Sequence, residues 1–284
     1  MSNIAIVTDS NAYFEPGEAE RLNITVVPLH IHIGDEVLKD GEEMNPDAFF
    51  QRLQRGGPMP TVSAPSVEAF QAAYTELHKS TDKILSIHVS GCLSPTVHNA
   101  QLSADTLLGR CTIEVIDSMT ISVGLGILAK TAAEAARDGA KMDDIVRLVR
   151  GMIPHIYVVL YVDRMGFLER SGRISRSQAI LGSMLNIKPI LFMEDGEIIP
   201  LEKVRTPDKA IEKLFNFVAE FDGSEQMAII QATPYPTEET KMLLERLGQL
   251  FPDMDFPIIQ YNPVLATHVG PTALGVIVYE GMDY

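Results

Sequence analysis

The stretch Lys83-Ile84-Leu85-Ser86-Ile87-His88-Val89-Ser90-Gly91-Cys92-Leu93-Ser94-Pro95-Thr96 decides the fold. Its first half, Lys83 to Val89, reads as a buried strand, with Ile84, Leu85, Ile87 and Val89 carrying the apolar weight. Pro95 to Leu108 has helical composition. Ser94 ahead of Pro95 predicts a helix start, serine at the cap and proline at the first helical position. The turn brings backbone N–H groups and the hydroxyls of Ser90, Ser94 and Thr96 to the carboxyl end of a strand. Open α/β sheets bind ligands there, and a helix N-terminus favours an anion. Two readings fit the turn taken alone: Ser94 caps a helix, or Ser94 helps to hold an anion, in particular a carboxylate.

Upstream, Ile4 to Val7 reads as another short buried strand ending in the polar turn Thr8-Asp9-Ser10. Glu15 to Leu22 reads as a short helix. Ile24 to Ile33, interrupted by Pro28, reads as an edge or bent strand. Gly34-Asp35 and Asp40-Gly41 frame a small hairpin. Asn45-Pro46 opens a helix that stops at Gly56-Gly57-Pro58. After the hydroxyl-rich loop Thr61–Ser66, Ser66 caps a helix from Val67 to Lys79. Downstream, a strand from Thr112 to Ile116 closes on Asp117-Ser118, and helices follow over 121–137 and 142–152. Gly124 and Gly126 lie inside the first of these, where they point to close packing or close ligand approach. This order predicts a Rossmann-like, mainly parallel α/β domain over residues 1–153.

The pattern changes after residue 153. A strand over 156–162 precedes a segment with four arginines, Arg164, Arg170, Arg173 and Arg176. A helix is expected over 179–185 and a strand over 187–192, where Pro189 suggests an edge or bulge. Asp195-Gly196 predicts a tight hairpin into 197–204. Helices over 207–221 and 238–250 alternate with strands over 227–231 and 257–260. The chain closes with Thr267-His268-Val269-Gly270-Pro271-Thr272 and a strand over 274–279. Hairpins mixed with helices predict a mixed-sheet α/β domain over 154–284.

Composition narrows the function. The 284 residues are 46% apolar and carry a formal net charge of −15, which argues against nucleic acid and anionic membrane surfaces. No apolar run approaches a membrane span. Two cysteines suggest no disulfide framework, and the opening MSNIAIVTDS reads as a strand rather than a signal peptide, so a cytoplasmic location is expected. Gly-x-Ser-x-Gly, Walker-type and Gly-x-Gly-x-x-Gly motifs are absent, and the seven histidines are scattered rather than clustered for a metal. No metal or cofactor is expected. Hydroxyl turns, His268 before a sharp Gly270-Pro271 turn, and the arginines remain. The arginines fit a solvated face, interdomain salt bridges, or recognition of carboxylate, phosphate or an acidic partner. A hydrolase with Ser94 as nucleophile and His268 as base would need an orienting carboxylate, for which Asp9 and Asp117 are the candidates.

Several motifs in order resemble the DegV family of bacterial fatty-acid-binding proteins over almost the whole chain. They are Thr8-Asp9-Ser10, Thr61-Val62-Ser63-Ala64-Pro65-Ser66, Leu93-Ser94-Pro95-Thr96, Ile116-Asp117-Ser118, Ser171-Gly172-Arg173-Ile174, Ile187-Lys188-Pro189-Ile190 and His268-Val269-Gly270-Pro271. The resemblance implies two α/β domains with a long-chain fatty acid between them and no catalysis by this chain alone. It places carboxylate ligands on Thr61, Ser94 and His268, with Arg205 near the carboxylate. It further implies a separate ATP-binding kinase subunit that converts the carboxylate to an acyl phosphate for phospholipid synthesis, with Arg173 and its neighbour Arg170 at the docking or phosphoryl-transfer surface. Gly91, Cys92 and Pro95 depart from the family's usual Ser, Gly and Gly, and Thr272 stands where Gly is usual. Each buried methylene is worth about 0.8 kcal/mol, so an acyl chain supplies roughly 12 kcal/mol gross. The other reading is a carrier or sensor of a different amphipathic acid, without a kinase partner.

Overall fold

The computed structural model describes residues 4–41, 43, 45–163, 165–172, 187–221 and 224–282. The chain gathers into two compact units, Met1–Met44 with Val62–Pro154, and Asn45–Thr61 with His155–Tyr284. The fold is α/β, with one parallel and one mixed sheet.

The strands up to residue 117 are β1 (Ile4–Asp9), β2 (Ile24–Val27), β3 (His30–Ile33), β4 (Glu36–Lys39), β5 (Thr61–Ser63), β6 (Lys83–His88) and β7 (Thr112–Asp117). The main sheet of the first unit runs β2-β1-β6-β7, and every pairing in it is parallel. β1 is buried along its whole length. Ala5, Val7 and Ile84 pack with Phe70 and Tyr74 of helix Val67–His78 and with Ala100 and Ala104 of helix Thr96–Asp105. Helices Ser122–Arg137 and Met142–Met152 also lie against the sheet. A strand covered on both faces has no room for polar alternation, which is why Ile4–Val7 and Ile84–Ile87 read as near-continuous apolar runs. Ile24–Ile33 is not one strand. It breaks at Pro28 into β2 and β3, which belong to different sheets, because proline has no N–H to carry the ladder through.

The second unit holds β8 (Ile156–Tyr161), β9 (Lys188–Glu194), β10 (Glu197–Val204), β11 (Gln226–Gln231), β12 (Ile258–Gln260) and β13 (Leu274–Tyr279). Their order is β10-β9-β8-β13-β11-β12, antiparallel except for β11 with β12. Helices Pro207–Val218 and Glu238–Leu250 bury Ile211, Leu214, Leu243 and Leu247 against Val159, Ile229 and Val276. Pro189 suggested an edge or a bulge: β9 is an interior strand, not an edge, and its ladder with β10 shifts register between Pro200 and Glu202, opposite Leu191 and Ile190. Pro189 stands near its start, before the residues Ile190–Phe192 that pair with β8. Asp195 and Gly196 turn with φ of 49° and 80°, the pair of positive angles a two-residue hairpin needs. Helix Pro46–Arg55 precedes the 153/154 division in sequence but packs in the second unit: Phe49 and Phe50 are buried, and the Phe50 ring lies 5.5 Å from that of Tyr261. The helix expected over 179–185 lies outside the described residues.

Candidate functional site

The first unit's candidate site is built from the turns that leave the carboxyl ends of β1, β6 and β7. The helix after β6 begins at Thr96, one residue later than its Ser-Pro start suggests, with Pro95 at the cap position and no side-chain cap bond. Ser94 is therefore not the cap. Its Oγ lies 2.7 Å from Thr96 Oγ1 in a hydroxyl–hydroxyl hydrogen bond. The N–H groups of Leu93 and Ser94 both donate to the Ser90 carbonyl, at 3.0 and 3.1 Å. The first-turn amides of Thr96, Val97 and His98 have no intrahelical acceptor. This hydroxyl pair, half-buried Ser94 with fully buried Thr96, lies at the mouth of these amides and is a donor set for an anion.

Asp117 organises the front of the turn. Its carboxylate accepts from Gly91 N at 3.1 and 3.0 Å and from Met119 N at 2.9 Å. A Cβ at Gly91 would meet Asp117 Oδ2 at 2.6 Å, so glycine at this position lets the two turns close. Asn11 reaches across from the end of β1, its Oδ1 accepting from Ser122 N at 2.9 Å. Gly126 has the packing role its place in a helix implied, and the neighbour is protein: a Cβ there would overlap the Tyr13 carbonyl.

Behind the turn lies a buried polar chain that sequence reasoning did not single out. Tyr74 donates to Ser86 Oγ at 2.8 Å, Ser86 Oγ pairs with His88 Nε2 at 2.7 Å, and His88 Nδ1 pairs with Asp9 Oδ2 at 3.0 Å. Asp9 also accepts from Asn11 N at 3.0 Å and Val89 N at 2.9 Å. All four side chains are fully enclosed. Burial pushes the Tyr74 phenol well above its ordinary pKa, against the lowering effect of Ser86. This Ser–His–Asp arrangement meets no solvent and so no substrate. The signal for it was a lone histidine in an apolar strand opposite a Thr-Asp-Ser-Asn strand end. Asp9 and Asp117, the orienters considered for a hydrolase, are both engaged by N–H groups of their own unit.

In the second unit, His268 is half-buried in the last turn of helix Pro263–Val269, a short helix not expected ahead of the sharp Gly270-Pro271 turn. Asn262 caps this helix through Leu265 N at 3.0 Å. Gly270 ends it at φ 82°, and a Cβ there would come within 2.6 Å of the Phe167 ring. Tyr261 braces the following turn: its hydroxyl donates to the Gly270 carbonyl at 2.7 Å and accepts from Ala273 N at 3.3 Å. Enclosure raises the Tyr261 phenol pKa far above the usual range. Thr61 is exposed at the start of β5, and Arg205 is exposed between β10 and helix Pro207–Val218. Arg170 is exposed at the end of helix Met165–Ser171 with its guanidinium 5.8 Å from the Phe167 ring centre. Arg173 lies outside the described residues. Among the described residues, no group of three or more His, Cys, Asp and Glu side chains is arranged to hold a metal, and no helix is long and apolar enough to cross a membrane.

A parallel four-stranded α/β unit with hydroxyl turns at its strand ends, joined to a mixed-sheet unit with a His-Val-Gly-Pro turn, defines a two-unit α/β protein of the DegV type. The DegV family model matches residues 3–281, and the chain belongs to the DegV family. A DegV domain-containing protein of Streptomyces coelicolor is 36% identical over 278 residues, covering 97% of this chain and 98% of the relative. The structure of a DegV family protein from Thermus thermophilus, described as fatty acid binding, is similar with a TM-score of 0.87 and 30% identity, covering 98% of this chain and 100% of that one. Bacillus subtilis DegV, described as a fatty acid binding protein, is similar with a TM-score of 0.88 and 31% identity, over 98% of this chain and 100% of that one.

Proposed function

We propose that this protein binds a long-chain fatty acid and presents its carboxylate to a separate ATP-dependent kinase subunit. The observation that carries the reading is the Ser94–Thr96 hydroxyl pair at a helix N-terminus, in a chain whose fatty-acid-binding relatives match it along nearly its full length. Thr61, Ser94 and His268 are the proposed carboxylate ligands, with Arg205 nearby. Neutral donors suit this role because they stabilise the anion through charge-assisted hydrogen bonds without neutralising it. A carboxylate oxygen left nucleophilic attacks the γ-phosphorus of ATP, ADP departs, and the product is an acyl phosphate for phospholipid synthesis. Arg173 and Arg170 are the proposed docking or phosphoryl-transfer residues.

Native mass spectrometry of freshly purified protein, followed by lipid extraction, is the direct test. A bound long-chain fatty acid is expected. Protein that is empty and also refuses added oleic acid would sink the proposal. Ser94→Ala removes a hydrogen bond to a charged group, worth about 1.5–3 kcal/mol, so oleate affinity measured by calorimetry on delipidated protein should fall roughly ten- to hundredfold. Arg173→Ala should keep oleate affinity but abolish acyl phosphate formation with a kinase subunit. Equal turnover with and without Arg173 would remove it from the mechanism. Hydrolysis of an acyl ester by the chain alone, lost in Ser94→Ala, would replace this reading with the hydrolase.

A further inference from the structure

We infer that Asp9 and His88 are positioning residues for the Ser94 turn, held in one protonation pattern by Tyr74 and Ser86; this rests on the fatty-acid reading above. Tyr74 donates its only hydroxyl proton to Ser86 Oγ, which leaves Ser86 its own proton to place. The acceptor within reach is His88 Nε2 at 2.7 Å. Nε2 then carries no proton, and Nδ1–H donates to Asp9 Oδ2 at 3.0 Å. The opposite arrangement, with Nε2–H donating to Ser86, would leave the Ser86 proton without that acceptor in a fully buried site. Relayed this way, Asp9 acts purely as an acceptor for three N–H groups: Asn11 N, Val89 N and His88 Nδ1.

Val89 N is the contact that matters for the ligand. It belongs to the first residue beyond β6, immediately before Ser90, whose carbonyl receives the Leu93 and Ser94 amides. The Asp9 carboxylate thus fixes where the turn leaves the strand, and Asn11, held by the same carboxylate, ties the turn after β7 through Ser122 N. His88 O accepts from Ser118 N at 3.0 Å, so the backbone of the histidine joins the same frame. A ligand hydroxyl must be held within a few tenths of an ångström to select a carboxylate, and rigid supporting hydrogen bonds do this.

Asp9→Asn keeps the side-chain shape but turns one acceptor oxygen into an NH₂ that faces N–H groups. Calorimetry with oleic acid on the delipidated full chain is expected to show Asp9→Asn at least fivefold weaker than wild type. In a Ser94→Ala background the same substitution should cost less than twofold, because the hydroxyl it positions is gone. Equal costs in both backgrounds would mean a general structural defect and overturn the inference. So would wild-type affinity in Asp9→Asn while Ser94→Ala is weakened. A wild-type protein that binds no oleate overturns the fatty-acid reading itself, a result distinct from these. Should Asp9→Asn not fold, ¹⁵N NMR of the wild-type imidazoles decides. His88 Nε2 should read as unprotonated and shift on oleate addition in wild type but not in Ser94→Ala. A protonated Nε2, or a resonance indifferent to saturating oleate, overturns the inference.

Discussion

Gly270 shows how much one residue sets. Its φ of 82°, and the Phe167 ring within 2.6 Å of where a Cβ would stand, leave no conformation for a side chain. Gly270→Ala combines backbone strain with overpacking and should destabilise the protein by about 2–4 kcal/mol, read as a lower urea midpoint. Tyr261→Phe removes the hydroxyl that bridges Gly270 and Ala273 and leaves a buried carbonyl short of its donor, at about 1–3 kcal/mol. Because His268 lies two residues before Gly270, Tyr261→Phe should weaken oleate binding as well as lower the unfolding temperature. The importance of Gly270 was legible in the Gly-Pro pair. That of Tyr261 was not, since nothing in its neighbours marks it as a brace.

At the scale of elements, the helix Glu18–Arg21 is tied to helix Ser122–Arg137 by Glu18 and Lys130, 2.7 Å apart, with the ammonium also over the Tyr13 and Phe14 rings. Burial pushes the Glu18 pKa up, but hydrogen bonds from Lys130 and the Glu15 amide, with the Lys130 charge, outweigh it and hold the carboxyl below 4.5. A depressed folded-state pKa means that the pair's contribution is present above 4.5 and is lost as pH falls through the folded value. Lys130→Met keeps the apolar stem and should cost about 1 kcal/mol at neutral pH. Urea titrations should show that gap closing in acid; a gap independent of pH would mean that only packing was lost. Element types were largely legible, because caps such as Ser66 and Asn45 are local: their side chains accept from Ala69 N and Ala48 N. The Pro95 start was misplaced by one residue, because Ser94 directs its hydroxyl to Thr96 instead of a backbone amide.

For the molecule as a whole, the net charge of −15 opposes an anionic ligand. The proposed carboxylate site must win locally, through short-range donors. Added salt screens the opposing field over roughly 10 Å at 0.1 M and barely touches the buried hydrogen bonds. The association rate of oleate, followed by stopped flow below its micelle concentration, should therefore rise with ionic strength while the dissociation rate stays nearly constant. A rate that falls with salt would point to a basic entry path that the net charge conceals.

The α/β class, the parallel and mixed sheets and the hydroxyl turns could all be read from the amino-acid sequence, because apolar runs, caps and turn residues act within a few positions of one another. Three-dimensional packing was needed to establish that Ile24–Ile33 serves two sheets, that β9 is interior despite Pro189, and that helix Pro46–Arg55 packs in the second unit. The same holds for the hydrogen-bonded chain of Asp9, His88, Ser86 and Tyr74. The physical reason is distance along the chain. Asp9 and His88 are separated by 79 residues, and no local propensity records which buried acceptor a buried donor will meet.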